Sequence, residues 1–187
     1  MSLPGIPSLD AAVMAFIQTH FHNTVTDTVF PIITSLGEAG IGWIVLSLVL
    51  LCFKKTRRTG GLVLIAMTVT LLFGELTLKN IICRLRPCNV FTDFPMLIAR
   101  PTSYSFPSGH TSSSFAAALI LTLRHKKVGW LAYIPAVLIA FSRIFLFVHY
   151  PTDVLAGILL GTFAALLTYF AAKAIQKRQA EKRTAQI

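Results

Sequence analysis

Three short stretches of the chain carry the residue types that bind and cleave phosphate. In the first, Lys79-Asn80-Ile81-Ile82-Cys83-Arg84-Leu85-Arg86-Pro87, lysine supplies a mobile point charge and arginine a planar fork of donors that matches phosphoryl oxygens. The same residues also suit a helix end whose cations snorkel to water. In the second, Tyr104-Ser105-Phe106-Pro107-Ser108-Gly109-His110-Thr111, Pro107 and Gly109 mark a turn and Ser108 stands where it can cap the apolar helix that follows. A helix N-terminus offers free N–H groups to an anion, and His110 would stand beside that anion as a proton donor. The plainer alternative is an ordinary cap with an incidental histidine. In the third, Ser142-Arg143 is followed by His149, Tyr150, Pro151, Thr152 and Asp153. A carboxylate beside an imidazole fixes its tautomer and raises its basicity, which is how a histidine becomes a nucleophile. The alternative there is a loop histidine followed by a first-turn helix charge.

Taken together the three stretches are far more specific than any one. They resemble the type 2 phosphatidic acid phosphatase family. That pattern is Lys, six residues, Arg-Pro; then Pro-Ser-Gly-His; then Ser-Arg, five residues, His, three residues, Asp. The chain matches every position with Lys79, Arg86-Pro87, Pro107-Ser108-Gly109-His110, Ser142-Arg143, His149 and Asp153, over roughly residues 61–172. Residues 1–60 carry no signature.

The resemblance implies a membrane lipid phosphatase. In it, His149 attacks phosphorus and forms a phosphohistidine, and Asp153 orients His149. His110 protonates the leaving oxygen and then activates water. Lys79, Arg86, Arg143, Ser108 and the Gly109 backbone bind the phosphoryl oxygens. It implies no metal or other cofactor, since the cations stabilise the charge that Mg²⁺ stabilises elsewhere. The substrate expected is a lipid phosphate or diphosphate. Undecaprenyl diphosphate is favoured by size and topology, with phosphatidate and phosphatidylglycerol phosphate as close rivals. A vanadium-dependent haloperoxidase and a non-catalytic lipid-phosphate binder or transporter are the alternatives from other classes.

These residues must be positioned by helices in lipid. The chain is 55% hydrophobic and 13% charged, where a soluble domain is about a quarter charged. Residues 37–53, 61–79, 110–123, 128–148 and 151–172 read as five apolar spans, against about 20 residues for a crossing. Residues 1–35 read either as an interfacial or kinked helix leading into a marginal span that ends near Ile33, or as an interfacial helix alone. The expectation is an all-α polytopic transmembrane bundle of about six helices. It forms a single domain over 1–187, with a basic cytoplasmic tail at 173–187.

Twelve of the 17 basic residues fall in three clusters: Lys54, Lys55, Arg57 and Arg58; Arg124, Lys126 and Lys127; and Lys173, Lys177, Arg178, Lys182 and Arg183. Each flanks an apolar segment, as cytoplasmic charges do, and none forms a nucleic-acid surface. The remaining five, Lys79, Arg84, Arg86, Arg100 and Arg143, fall at the opposite ends of the spans. The chain is therefore expected in the cell membrane with its site and the loop 80–106 outside. Six spans would put the N-terminus with the clusters.

Glu75, four residues before Lys79, is expected either to hold it or to neutralise it. Arg84 and Arg100 read as solvated loop charge, with a contribution to the anion field or to lipid-headgroup binding as the alternative, and His125 as structural. His20 and His22 are too close together for a metal-site reading. Cys83 and Cys88 fit either a disulfide or free thiols. The spacing is silent on oligomeric state.

Overall fold

The computed structural model of the chain describes residue 5 and residues 7–184. Among these residues the structure is all helical. In chain order the α-helices are α1 (Ser8–His20), α2 (Thr24–Leu36), α3 (Ile41–Cys52), α4 (Arg57–Thr70), α5 (Lys79–Ile82), α6 (Pro87–Val90), α7 (Gly109–Arg124), α8 (Tyr133–Phe145) and α9 (Pro151–Thr184). A π-helical stretch, Leu71–Leu78, joins α4 to α5, so the chain stays helical from Arg57 to Ile82. Widened turns of this kind tend to sit at functional sites, and this one carries Glu75. Cys83, at φ 49°, ends the run.

The central helix is α7. Ala116, Ala117 and Ala118 are fully buried on it, and their small side chains let neighbouring helices approach. α9 packs on it through Gly157, where an added Cβ would stand 2.7 Å from the Ser108 carbonyl oxygen. This fixes the first turns of α7 and α9 against each other, and with them the second and third motifs. The Ser108 N–H adds a bond to the Asp153 carbonyl at 3.1 Å.

The stretch Arg57–Val90 and α9 are each long and apolar enough to cross a bilayer, and α2 with α3 makes a third crossing if the bent pair is one span. Their exposed faces carry Val45, Leu48, Val49, Ile65, Leu159 and Phe163, a surface that suits lipid rather than water.

Residues 24–36 and 37–53, read from the sequence as a marginal and a clear span, form a bent pair that is long and apolar enough to cross when taken together. Asn23 starts α2 with a capping box to Thr26, and the helix then meets α3 at only 44°, through a turn where Ala39 is forced to φ 48°. α1, at 13 residues, spans only about 20 Å and buries Asp10, Met14 and Ile17 against the end of the bundle that holds the motifs. The described N-terminal residues therefore lie opposite the basic clusters, where a six-span count would have placed them beside the clusters. Finally, α9 runs unbroken through Thr184, so the described part of the basic tail continues the last apolar helix.

Candidate active site

The chemistry gathers where α5, α7, α8 and α9 end or begin. Between α8 and α9 the chain turns sharply. Leu146 N–H closes on Ser142, both Val148 and His149 N–H close on the Arg143 carbonyl, and Phe147 takes φ 58°, a strained value for a bulky residue. Phe94 stacks on the Phe147 ring with centroids 4.0 Å apart. The turn delivers His149, 1% exposed, into the interior.

Each ring nitrogen of His149 has a defined neighbour. Arg86 Nη1 donates to Nε2 at 2.9 Å, and a guanidinium can only donate, so Nε2 carries the lone pair. Nδ1, which then carries the proton, faces Asp153 Oδ2 at 3.5 Å and Ser105 Oγ at 3.4 Å. Ser105 in turn donates to Asp153 Oδ2 at 2.5 Å, and so couples the two groups more tightly than their direct approach does. The Tyr150 N–H also donates to Asp153 Oδ2, at 3.0 Å, closing the first turn of α9 back on itself. Burial, reinforced by the charges of Arg86, Arg143 and Lys79, holds the His149 imidazole well below the ordinary histidine range. It is thus neutral at neutral pH, the state a nitrogen nucleophile requires.

The cations differ in their partners. Lys79 Nζ lies 2.8 and 2.7 Å from the two oxygens of Glu75, so Glu75 both holds and neutralises it. Arg86 donates to the Ser103 carbonyl at 2.7 Å, to the Ser103 hydroxyl at 3.0 Å and to the Val148 carbonyl at 3.0 Å, besides His149. Arg143 donates to the Thr34 hydroxyl, while its Nε has no partner. Among the described residues, neither Arg86 nor Arg143 pairs with a carboxylate, although they are 4% and 3% exposed. Two buried guanidiniums without counter-charge are costly unless an anion joins them. A phosphoryl group bound beside Nε2 would meet that need.

His110 sits in the first turn of α7, within electrostatic reach of His149, Arg143, Arg86 and Lys79. Its Nε2 has no hydrogen-bond partner and lies 3.5 Å from a Glu38 carboxylate oxygen. Ser108 occupies the N-cap position of α7 but makes no cap bond, contrary to expectation, because its hydroxyl accepts from Thr111 Oγ1 at 2.9 Å instead. The first-turn N–H groups of α7 thus receive no side-chain cap from Ser108. At Gly109 a Cβ would collide with the Glu75 carboxylate, so glycine there lets α7 start against the Glu75–Lys79 pair.

The structure therefore sets His149 against both Asp153 and Arg86 and gathers Lys79, Arg143 and His110 around it. Sequence reading missed Ser103, Ser105, Thr34, Glu38 and Asp10. It also misjudged Arg84, which is bonded to Asp10 and Asp153, and Arg100, which staples the loop through the Cys88, Thr92 and Phe94 carbonyls. Cys83 and Cys88 are both free thiols. Among the described residues no cluster of three or more His, Cys, Asp or Glu is arranged to hold a metal.

Comparison with known proteins places the chain in a family. Residues 59–177 match the PAP2 superfamily. The chain is 39% identical over 127 residues to an undecaprenyl-diphosphatase of Sulfolobus acidocaldarius, covering 67% of this chain and 61% of that protein. It is 31% identical over 157 residues to the undecaprenyl-diphosphatase BcrC of Bacillus subtilis, covering 79% and 76%. Among solved structures, a transmembrane PAP2-type phosphatidylglycerolphosphate phosphatase from Bacillus subtilis superposes with TM-score 0.73 at 29% identity, over 92% of this chain and 89% of that one. With the helical bundle and the motif-bearing ends in place, the chain belongs to the PAP2 superfamily and is a membrane lipid phosphatase.

Proposed function

We propose that the protein hydrolyses the terminal phosphate of a lipid diphosphate, with undecaprenyl diphosphate the preferred substrate. The observation that carries the mechanism is the pair of buried guanidiniums, Arg86 and Arg143, that lack a carboxylate beside the His149 Nε2 lone pair. An incoming phosphoryl group takes up their charge, with Lys79 and the Gly109 N–H at the start of α7 as further donors. Arg86 then moves its bond from Nε2 to a phosphoryl oxygen, which frees the lone pair.

Nε2 attacks phosphorus, the bond from phosphorus to the leaving oxygen breaks, and His110 gives that oxygen a proton. Asp153 and Ser105 stabilise the charge that grows on the His149 ring. Water then attacks the phosphohistidine, His110 takes its proton, and the P–N bond breaks to release phosphate and neutral His149. The residues supply every charge and proton in this scheme, so a metal has no assigned role.

The preference for an isoprenoid diphosphate draws support from two relatives named as undecaprenyl-diphosphatases. A phosphatidylglycerol phosphate substrate, drawn from the structural neighbour's name, is the second reading. The exposed basic clusters support a cytoplasmic location for their end and an outward-facing site. The span order that fits is five crossings, with α2 and α3 as one, and α1 lying at the outer surface.

The test is phosphate release by the purified protein in detergent with EDTA. The panel is undecaprenyl diphosphate, phosphatidate, phosphatidylglycerol phosphate and a soluble phosphate ester, each also offered to His149→Ala. Preference for the isoprenoid diphosphate, lost in the variant, is expected. Preference for a glycerolipid would replace the substrate and keep the mechanism; strict dependence on a metal would contradict the mechanism.

A further inference from the structure

The carboxylate behind His149 is itself held by a part of the chain that lies outside the family-matched segment. Arg84 divides its guanidinium between two acids. Its Nη1 donates to Asp153 Oδ1 at 2.6 Å and to the Thr152 hydroxyl at 2.7 Å, and its Nη2 donates to Asp10 Oδ2 at 2.8 Å. Asp10 comes from α1, and its side chain is 0% exposed. It accepts the Thr152 N–H at 2.9 Å and the Thr152 hydroxyl at 2.7 Å. That N–H is one of the donors left open in the first turn of α9, the same turn that carries Asp153. The Arg84 guanidinium also covers the Tyr150 ring at 3.8 Å.

A buried carboxylate is costly unless its partners are well placed. A helix that only covered the end of the bundle would do so better with an apolar side chain at this position. We infer that Asp10 is a positioning residue of the active centre, which fixes Arg84 so that Arg84 fixes Asp153 against His149. The N-terminal helix is then a working part of the site. This rests on the reading of His149 as nucleophile and Asp153 as its partner.

The groups facing His149 are Arg86, Arg143, Lys79, His110 and Asp153; those beside Asp153 are Arg84 and, past it, Asp10. The two links of the relay therefore shift His149 in opposite directions. Arg84→Gln leaves the Asp153 charge uncompensated, which favours the imidazolium and moves the acid limb of kcat/KM to higher pH. Asp10→Asn leaves Arg84 more positive toward Asp153, which disfavours the imidazolium and moves that limb to lower pH.

The experiment measures kcat, KM and the pH profile on a lipid diphosphate for the full-length wild type, Asp10→Asn, Arg84→Gln and the double variant, with His149→Ala alongside. Asp10→Asn should lose about 10- to 100-fold in kcat, the range seen when a partner that orients a functional ligand is removed, with KM little changed. The double variant should be no slower than Arg84→Gln alone. An Asp10→Asn protein with wild-type kcat and an unmoved acid limb, even with a lowered Tm, overturns the inference. So do kcat losses that multiply in the double variant. If Asp10→Asn does not fold, an unmoved acid limb in Arg84→Gln does the same. An active His149→Ala would instead remove the reading on which the inference rests.

Discussion

The two ends of the helical bundle treat positive charge in opposite ways. The twelve lysines and arginines of the three clusters are all exposed, and their one ion pair among the described residues, Lys177–Glu181, is a loose 3.9 Å contact. The five basic residues at the other end are all buried or half-buried, and each is held by named partners. Exposed cations in water contribute little to structure. Cations taken out of water must be repaid by hydrogen bonds and counter-charge. Lys79 and Arg84 have their carboxylates, whereas Arg86 and Arg143 have only neutral partners. Exposed charge at one end suits anchoring a chain in a membrane, and buried charge without a carboxylate at the other suits the proposed anion site.

The comparison can be broken most severely at Arg86. Arg86→Ala should cost about 10²–10³-fold in kcat, as loss of a preorganised donor to developing charge does. Arg86→Lys should recover little of it, because one ammonium cannot reach Ser103, Val148 and the phosphoryl oxygen together. Recovery with lysine would show that charge alone matters there. A smaller effect, about tenfold or somewhat more, is expected from Ser105→Ala, which removes the hydroxyl between Asp153 and His149.

The pH dependence sharpens the same contrast. The proposed mechanism requires a neutral His149, and burial, reinforced by nearby cations, lowers its pKa. Turnover should therefore persist below about pH 6.5, where an ordinary histidine would be mostly protonated, and an acid limb centred at or above that value would contradict the buried site. At the opposite end, neutralising Lys54 and Lys55 together to Gln should leave kcat within about twofold of wild type, since exposed, unpaired charges stabilise little. The smallest effect belongs to Thr59→Val, which removes a 3.0 Å bond to His125. It should lower unfolding stability by about 0.5–1.5 kcal/mol and leave turnover unchanged.

What could be read from the sequence followed the reach of local rules. Helical periodicity and fixed offsets put Glu75 beside Lys79, and His149 one turn from Asp153, because those pairs sit four residues apart. The motif residues lie together at one end of the bundle. Asp10 was invisible because its partners, Arg84 and Thr152, lie 74 and 142 residues away. Arg84 looked like solvated charge because nothing local marked a buried acid from the far end of the chain. Ser103 and Ser105 are ordinary loop residues until the fold sets them against Arg86 and Asp153. The relation of α2 to α3 was not legible, since the glycines near residue 37 mark a break without giving its angle, which is 44°.

The central claim is that His149 Nε2 takes the phosphoryl group while Arg86 and Arg143 hold its oxygens. The most direct measurement is rapid quenching of the purified protein with a lipid diphosphate labelled in its terminal phosphate, followed by mapping of any protein-bound label. The account predicts an acid-labile, alkali-stable phosphoryl group on the peptide that contains His149, absent in His149→Ala. Label on another residue, or full turnover by His149→Ala, would contradict it.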